Sequence, residues 1–161
     1  MQVYIMRHGD AVMHAASDAE RPLSQKGRDE STIMAQWLEA RQPHVDKVLV
    51  SPYLRAQQTL EVLTRSLTLP AEAEVMPQLT PSGNEEYIAS YIGALASEGI
   101  NAILIVSHLP LVGYLVAQLC PAEQPPMFST SSIASIQFDT ERQKGQLEWQ
   151  IGPNQVHLMS Q

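Results

Sequence analysis

Short apolar runs alternate with longer amphipathic ones along most of this chain, and that alternation restricts its fold more than any other feature. Residues 3–6 are apolar and rich in strand formers. Residues 24–41 place Ile33, Met34, Trp37 and Leu38 at helical spacing. A second strand is predicted at 45–50, then a helix at 52–69 with Leu60, Leu63 and Leu67 on one stripe. A further helix is predicted at 85–97, with Ile88, Tyr91, Ile92 and Leu95 on its apolar face. Residues 102–106 are a continuous apolar run, as in a strand buried on both faces, and a short helix follows at 110–119. Runs at 133–138 and 147–151 read as a closing antiparallel pair around a turn at 143–145. Strands and helices in this order imply an α/β sandwich with a mostly parallel sheet. The length, 161 residues, suits a single domain spanning 1–161. Long loops are expected at 10–23, 70–83 and 121–126, and long loops in compact domains often carry function.

Three of the predicted strands run into polar residues that a buried strand does not carry without cause. They lead into Arg7-His8-Gly9, into Ser51-Pro52-Tyr53-Leu54-Arg55 and into Ser107-His108. Ligands of an open parallel sheet bind outside the carboxyl ends of its strands. Two arginines and two histidines are therefore expected to meet in one crevice. Ser51 is expected to cap the following helix with Pro52 in its first position, which puts Arg55 about one turn in. Pro110 stands near another helix start, just after His108. Helix N-termini favour anions, and Gly9 lets backbone approach a ligand closely.

Guanidinium forks match phosphate oxygens and stay charged, and a neutral imidazole can attack phosphorus while a second donates to an equatorial oxygen. Taken singly, each signal has a bland explanation: a solvated strand end, or a structural histidine. Their coincidence at one sheet edge points to an anion site. A zinc site on His8 and His108 lacks a third ligand at workable spacing. No carboxylate cluster suggests magnesium, and neither a P-loop nor a GxGxxG fingerprint occurs, so neither metal nor cofactor is expected. His14, His44 and His157 have no such context and read as surface residues.

The 17 acids against 10 bases give a formal charge of −7. That balance argues against nucleic acid or an anionic membrane as main partner, though not against a small basic pocket. The lone Cys120 lies in an apolar stretch and reads as a buried, inert thiol. The apolar start at 1–6 is too short for a signal-peptide core, and the run at 102–106 is far short of a membrane span; a cytoplasmic protein without membrane insertion is expected.

Arg7-His8-Gly9, Ser51-Pro52 with Arg55 and Thr59, and Ser107-His108 resemble, in order and spacing, the histidine phosphatase superfamily with its phosphoglycerate mutase-like fold. Within it, Arg21-Pro22-Leu23-Ser24 with Gly27, Leu79-Thr80-Pro81-Ser82-Gly83 and Ser107 to Tyr114 are similar to the SixA-type phosphohistidine phosphatases, and the likeness covers nearly the whole chain. The resemblance implies a three-layer sandwich with helices on both faces of the sheet. It implies that His8 becomes phosphorylated and that Arg7, Arg55 and His108 bind and polarise the phosphoryl oxygens. Arg21 either adds a positive group to the pocket or pairs with Asp18 or Glu20 on the surface.

The wider superfamily places an acid near the pocket to protonate the leaving oxygen. Asp18, Glu85 and Glu86 are the weak candidates here. An imidazole, with a conjugate-acid pKa of about 6.5 against ~15 for an alcohol, is easier to expel, so a dedicated acid matters less. The expected substrate is thus phosphohistidine on a histidine-containing phosphotransfer protein or domain. The alternatives are a small phosphorylated metabolite and a non-catalytic phosphoprotein-binding module. The chain lacks the large insertions of the mutases, so an open pocket is expected. Met127 and Phe128, in the loop 122–130, are placed either against a partner or, by preference, in the core.

Overall fold

The computed structural model describes residues 1–159. Along the chain come β1 (Gln2–Arg7), α1 (Gln25–Glu39), β2 (Lys47–Val50), α2 (Leu54–Leu63), β3 (Glu74–Val75) and α3 (Glu85–Ser97). Then follow β4 (Ala102–Ser107), α4 (Leu111–Leu119), β5 (Ile133–Asp139), β6 (Lys144–Ile151) and α5 (Pro153–Met159). The strands form one six-stranded sheet in the order β3-β2-β4-β1-β5-β6. The first four are mutually parallel, and β5 and β6 close one side antiparallel. This is the expected α/β sandwich.

The two-residue period of the strands builds its two cores. Val3, Ile5, Ile103 and Ile105 point to one face, where Ile88 and Ile92 of α3 and Leu111, Leu115 and Val116 of α4 cover them. Met6, Val48, Val50, Leu104 and Val106 point to the other, under Met34, Ala35 and Leu38 of α1, Ala56 and Leu63 of α2 and Val156 of α5. All six residues of β4 are buried, as a strand covered on both faces requires. Neighbouring β1 and β4 thus send their following helices to opposite faces. Their connections diverge there and open a crevice at the carboxyl ends. The register sets Arg7 beside Ser107 and Val50 beside Val106, so the ends of β1, β4 and β2 lie level.

Two helix starts follow side-chain capping rules. Ser24 accepts from the N–H of Gly27, and Asn84 accepts from that of Tyr87. The helix expected at 52–69 is shorter. It starts at Leu54 with Tyr53 in the cap position, so Ser51 does not cap it. It ends at Leu63, where the Thr64 hydroxyl donates to the Glu61 carbonyl at 2.6 Å and competes with continued helix. The expected loop at 70–83 contains β3 and a 3-10 turn, Pro77–Leu79. The closing turn comes earlier than 143–145, because Lys144 and Gly145 already pair with Asp139 and Phe138. In the loop 122–130 the two apolar residues divide: Phe128 is 1% exposed and in the core, Met127 is 79% exposed. Cys120 is buried, and burial raises its thiol pKa to about 11.

Candidate active site

His8 follows the last residue of β1 and is held by its backbone on three sides. Its N–H donates to the Ser107 carbonyl at 3.0 Å, and its carbonyl accepts from Ser131 at 3.1 Å. The next N–H, of Gly9, donates to the Thr59 hydroxyl at 3.0 Å. A side chain at Gly9 could not be accommodated, since a Cβ there would stand 2.8 Å from the Gly27 carbonyl and 2.9 Å from Ser31 Oγ. The turn after β1 is thereby seated on the first turn of α1.

The His8 ring has a defined tautomer. Its Nδ1 lies 2.7 Å from the Gly9 carbonyl. A carbonyl only accepts, so Nδ1 carries the proton and Nε2 keeps a bare lone pair. That lone pair receives a long contact, 3.3 Å, from Arg55 Nε. His108 follows β4, and its ring centroid is 4.8 Å from that of His8. Tyr53 stands edge-on to His108 at 5.1 Å, and its ring lies 5.1 Å from the Arg55 guanidinium.

Arg7 joins from the end of β1, its Nη1 donating to the Phe128 carbonyl at 2.8 Å. Arg7 Nε, a donor, and His108 Nδ1 are buried nitrogens with no partner among the described residues. Native structures seldom leave such groups unsatisfied. Burial is the main reason His8 titrates low, at about 4; the hydrogen bond to Gly9 opposes it, and Arg55, Arg7 and Arg21 reinforce it. His108 is lowered further by burial, then by His8 and Arg55. Both imidazoles are neutral at physiological pH, as a nucleophile requires.

Arg21 and Asp18 lie at the mouth. Arg21 Nε donates to the Val12 carbonyl at 2.8 Å, and its Nη1 meets Asp18 Oδ1 at 2.9 Å. Asp18 also takes two contacts from Arg55: Nη1 on its carbonyl at 2.6 Å and Nη2 on Oδ2 at 3.1 Å. Hydrogen bonds from Arg21 and then Arg55 hold the Asp18 carboxyl below its ordinary range, so it is ionised and has no proton to give. Glu85 and Glu86 occupy the first turn of α3 behind the Asn84 cap and line a separate cavity with Gln78 and Thr80.

The structure thus brings Arg7, His8, Arg55 and His108 together at the sheet edge, sets Arg21 at its rim, and leaves Glu85 and Glu86 elsewhere. A cavity of about 290 Å³ borders Asp18 and Arg21, lined also by Met13, Ala15 and Ser17. A larger one, about 560 Å³, lies against Phe138, Arg142 and Gly145 and contains no histidine or cysteine. Among the described residues no cluster of three or more His, Cys, Asp or Glu is placed to hold a metal ion, and no helix is long and apolar enough to cross a membrane. His14, His44 and His157 are exposed. Sequence reasoning takes Ser51 for a helix cap and assigns Thr59 no task; Ser51 bonds His108, and Thr59 bonds the Arg55 carbonyl and the Gly9 N–H.

The model of the histidine phosphatase superfamily (branch 1) matches residues 3–80. The chain is 55% identical over 153 residues to phosphohistidine phosphatase SixA of Escherichia coli (strain K12), covering 95% of this chain and 94% of that protein. It is 37% identical over 146 residues to the phosphohistidine phosphatase SixA homolog of Haemophilus influenzae (strain ATCC 51907 / DSM 11121 / KW20 / Rd), covering 86% and 89%. The structure of the protein histidine phosphatase SixA complexed with tungstate superposes with a TM-score of 0.95 at 53% identity, over 97% of this chain and 99% of that one. On sequence and fold alike, this chain belongs to the histidine phosphatase superfamily, among the SixA phosphohistidine phosphatases.

Proposed function

We propose that the protein removes the phosphoryl group from phosphohistidine on a histidine-containing phosphotransfer protein or domain, through a phospho-His8 intermediate. One observation carries this reading: the unprotonated Nε2 of neutral His8 shares a buried cluster with two nitrogens that lack partners, Arg7 Nε and His108 Nδ1. A tetrahedral oxyanion supplies the acceptor that Arg7 Nε lacks, and one for His108 Nδ1 when that atom carries the ring proton. The similar SixA structure was solved with tungstate, an anion of that shape, which supports the same reading.

The reaction follows from the groups present. His8 Nε2 attacks phosphorus, and the P–N bond to the substrate imidazole breaks, its electron pair returning to that ring with a proton from solvent. Arg7 and Arg55 neutralise the charge spread over the equatorial oxygens, and neutral His108 offers one of them a hydrogen bond. Water then attacks phospho-His8, releasing phosphate and restoring the neutral imidazole. With Asp18 ionised and Glu85 and Glu86 elsewhere, none of the three candidate acids is placed as a proton donor. That favours an imidazole leaving group over an alkoxide.

The test measures phosphate release from a phosphohistidine-bearing phosphotransfer domain and from a panel of alkyl phosphates, for wild type and His8→Ala. Release from the phosphoprotein alone, abolished by His8→Ala, is the expected result. Rapid ester hydrolysis with slow phosphoprotein turnover would replace this reading by that of a metabolite phosphatase. Binding without turnover in the wild type would make the chain a recognition module.

A further inference from the structure

Ser51 is fully buried at the end of β2. Its backbone is fixed there, the N–H donating to the Val106 carbonyl at 3.1 Å and the carbonyl accepting from Gln57 Nε2 at 2.9 Å. Its hydroxyl oxygen accepts from the Tyr53 N–H at 3.2 Å and lies 2.7 Å from His108 Nε2. The hydroxyl proton needs an acceptor of its own, because Ser51 is fully buried. Among the hydrogen bonds of the described residues, His108 Nε2 is the acceptor on offer. The network closes in one way: Tyr53 N–H to Ser51 Oγ, Ser51 O–H to His108 Nε2. The neutral ring must then carry its proton on Nδ1, the buried atom that has no partner.

We infer that Ser51 is a positioning residue that holds His108 in the Nδ1–H tautomer, so that this ring presents a donor to the phosphoryl oxygens. The proposal rests on the phosphatase reading for its purpose, though not for its geometry. It gives the two histidines opposite settings. Gly9 fixes the proton of His8 on Nδ1 and frees the Nε2 lone pair for attack. Ser51 occupies the Nε2 lone pair of His108 and leaves the proton on the buried Nδ1 of a ring whose centroid is 4.8 Å from that of His8. Without the hydroxyl the ring can carry the proton on either nitrogen. One of those forms sets a lone pair against the phosphoryl oxygens and repels them.

Long-range proton–nitrogen correlation spectra of the ¹⁵N-labelled full chain test this directly. The wild type is expected to show His108 Nδ1 as pyrrole-like and Nε2 as pyridine-like. In Ser51→Ala the two signals should move toward each other, and kcat on a phosphohistidine protein should fall about ten- to a hundredfold, the range found when orienting partners are lost. Ser51→Thr, which keeps the hydroxyl, should restore both. A wild-type spectrum with the proton on Nε2, or a tautomer unchanged in Ser51→Ala, would overturn the assignment. The spectra need no turnover, so they decide the matter even if the phosphatase reading fails.

Discussion

The guanidinium of Arg55 is divided between a base and an acid. Its Nε touches the His8 lone pair, while Nη1 and Nη2 hold the carbonyl and carboxylate of Asp18. A phosphoryl group arriving at His8 must compete with Asp18 for the same fork, and it meets a like charge there. Asp18 is the more yielding side of that contest, its side chain 55% exposed against 5% for Arg55. With the carboxylate half in solvent, the side-chain pair is worth on the order of 1 kcal/mol. Asp18→Asn is accordingly expected to tighten tungstate binding by about two- to fivefold in calorimetry, with the gain shrinking as salt is added. Weaker binding in the variant would mean that Asp18 instead orients Arg55 and Arg21 for the anion. Arg7, His8, Arg55 and His108 could be picked from the sequence because polar residues at buried strand ends stand out. The bond from Asp18 to Arg55 could not. It joins a loop to a helix 37 residues away, and no periodicity connects them.

At the scale of elements, the turn after β1 is fastened to α2 by one side chain. Thr59 Oγ1 accepts from the Gly9 N–H and donates to the Arg55 carbonyl at 2.7 Å, and it is fully buried. Thr59→Val keeps the shape and removes both bonds, leaving a buried N–H without an acceptor. The expected cost is about 1–3 kcal/mol in urea unfolding, with m unchanged and turnover reduced because His8 adjoins the freed peptide. Thr59→Ser should lose much less. A Thr59→Val protein as stable as wild type would show that the turn is held by its seat on Gly27 alone. The legible elements were those with a full period or an unbroken apolar run: α1, α3 and β4. β3 and α5 escaped. Two residues are too few to show alternation, and seven with buried contacts at Pro153 and Val156 show no stripe.

The whole molecule determines the acid behaviour of the site. Helices on opposite faces of the sheet enclose the ends of β1 and β4, and that enclosure is the first cause of the low His8 pKa. A group that titrates near 4 when folded and about 6.5 when unfolded binds fewer protons in the native state between those values. Its contribution is therefore fully present above about pH 6.5 and is lost as pH falls toward 4. For His8 alone the loss approaches about 3 kcal/mol, and His108 acts in the same direction. Urea unfolding of the wild type should show stability falling across that window, and His8→Gln should flatten the fall by removing one of the two groups. The same shift sets the rate profile. A nucleophile that stays neutral well below its ordinary range keeps kcat/KM level from about pH 8 to about pH 5, with the acid limb near 4 once spontaneous P–N hydrolysis is subtracted. An acid limb near 6.5 would mean that water reaches His8 freely. The crevice would then be far more open in solution than the sealed strand ends imply.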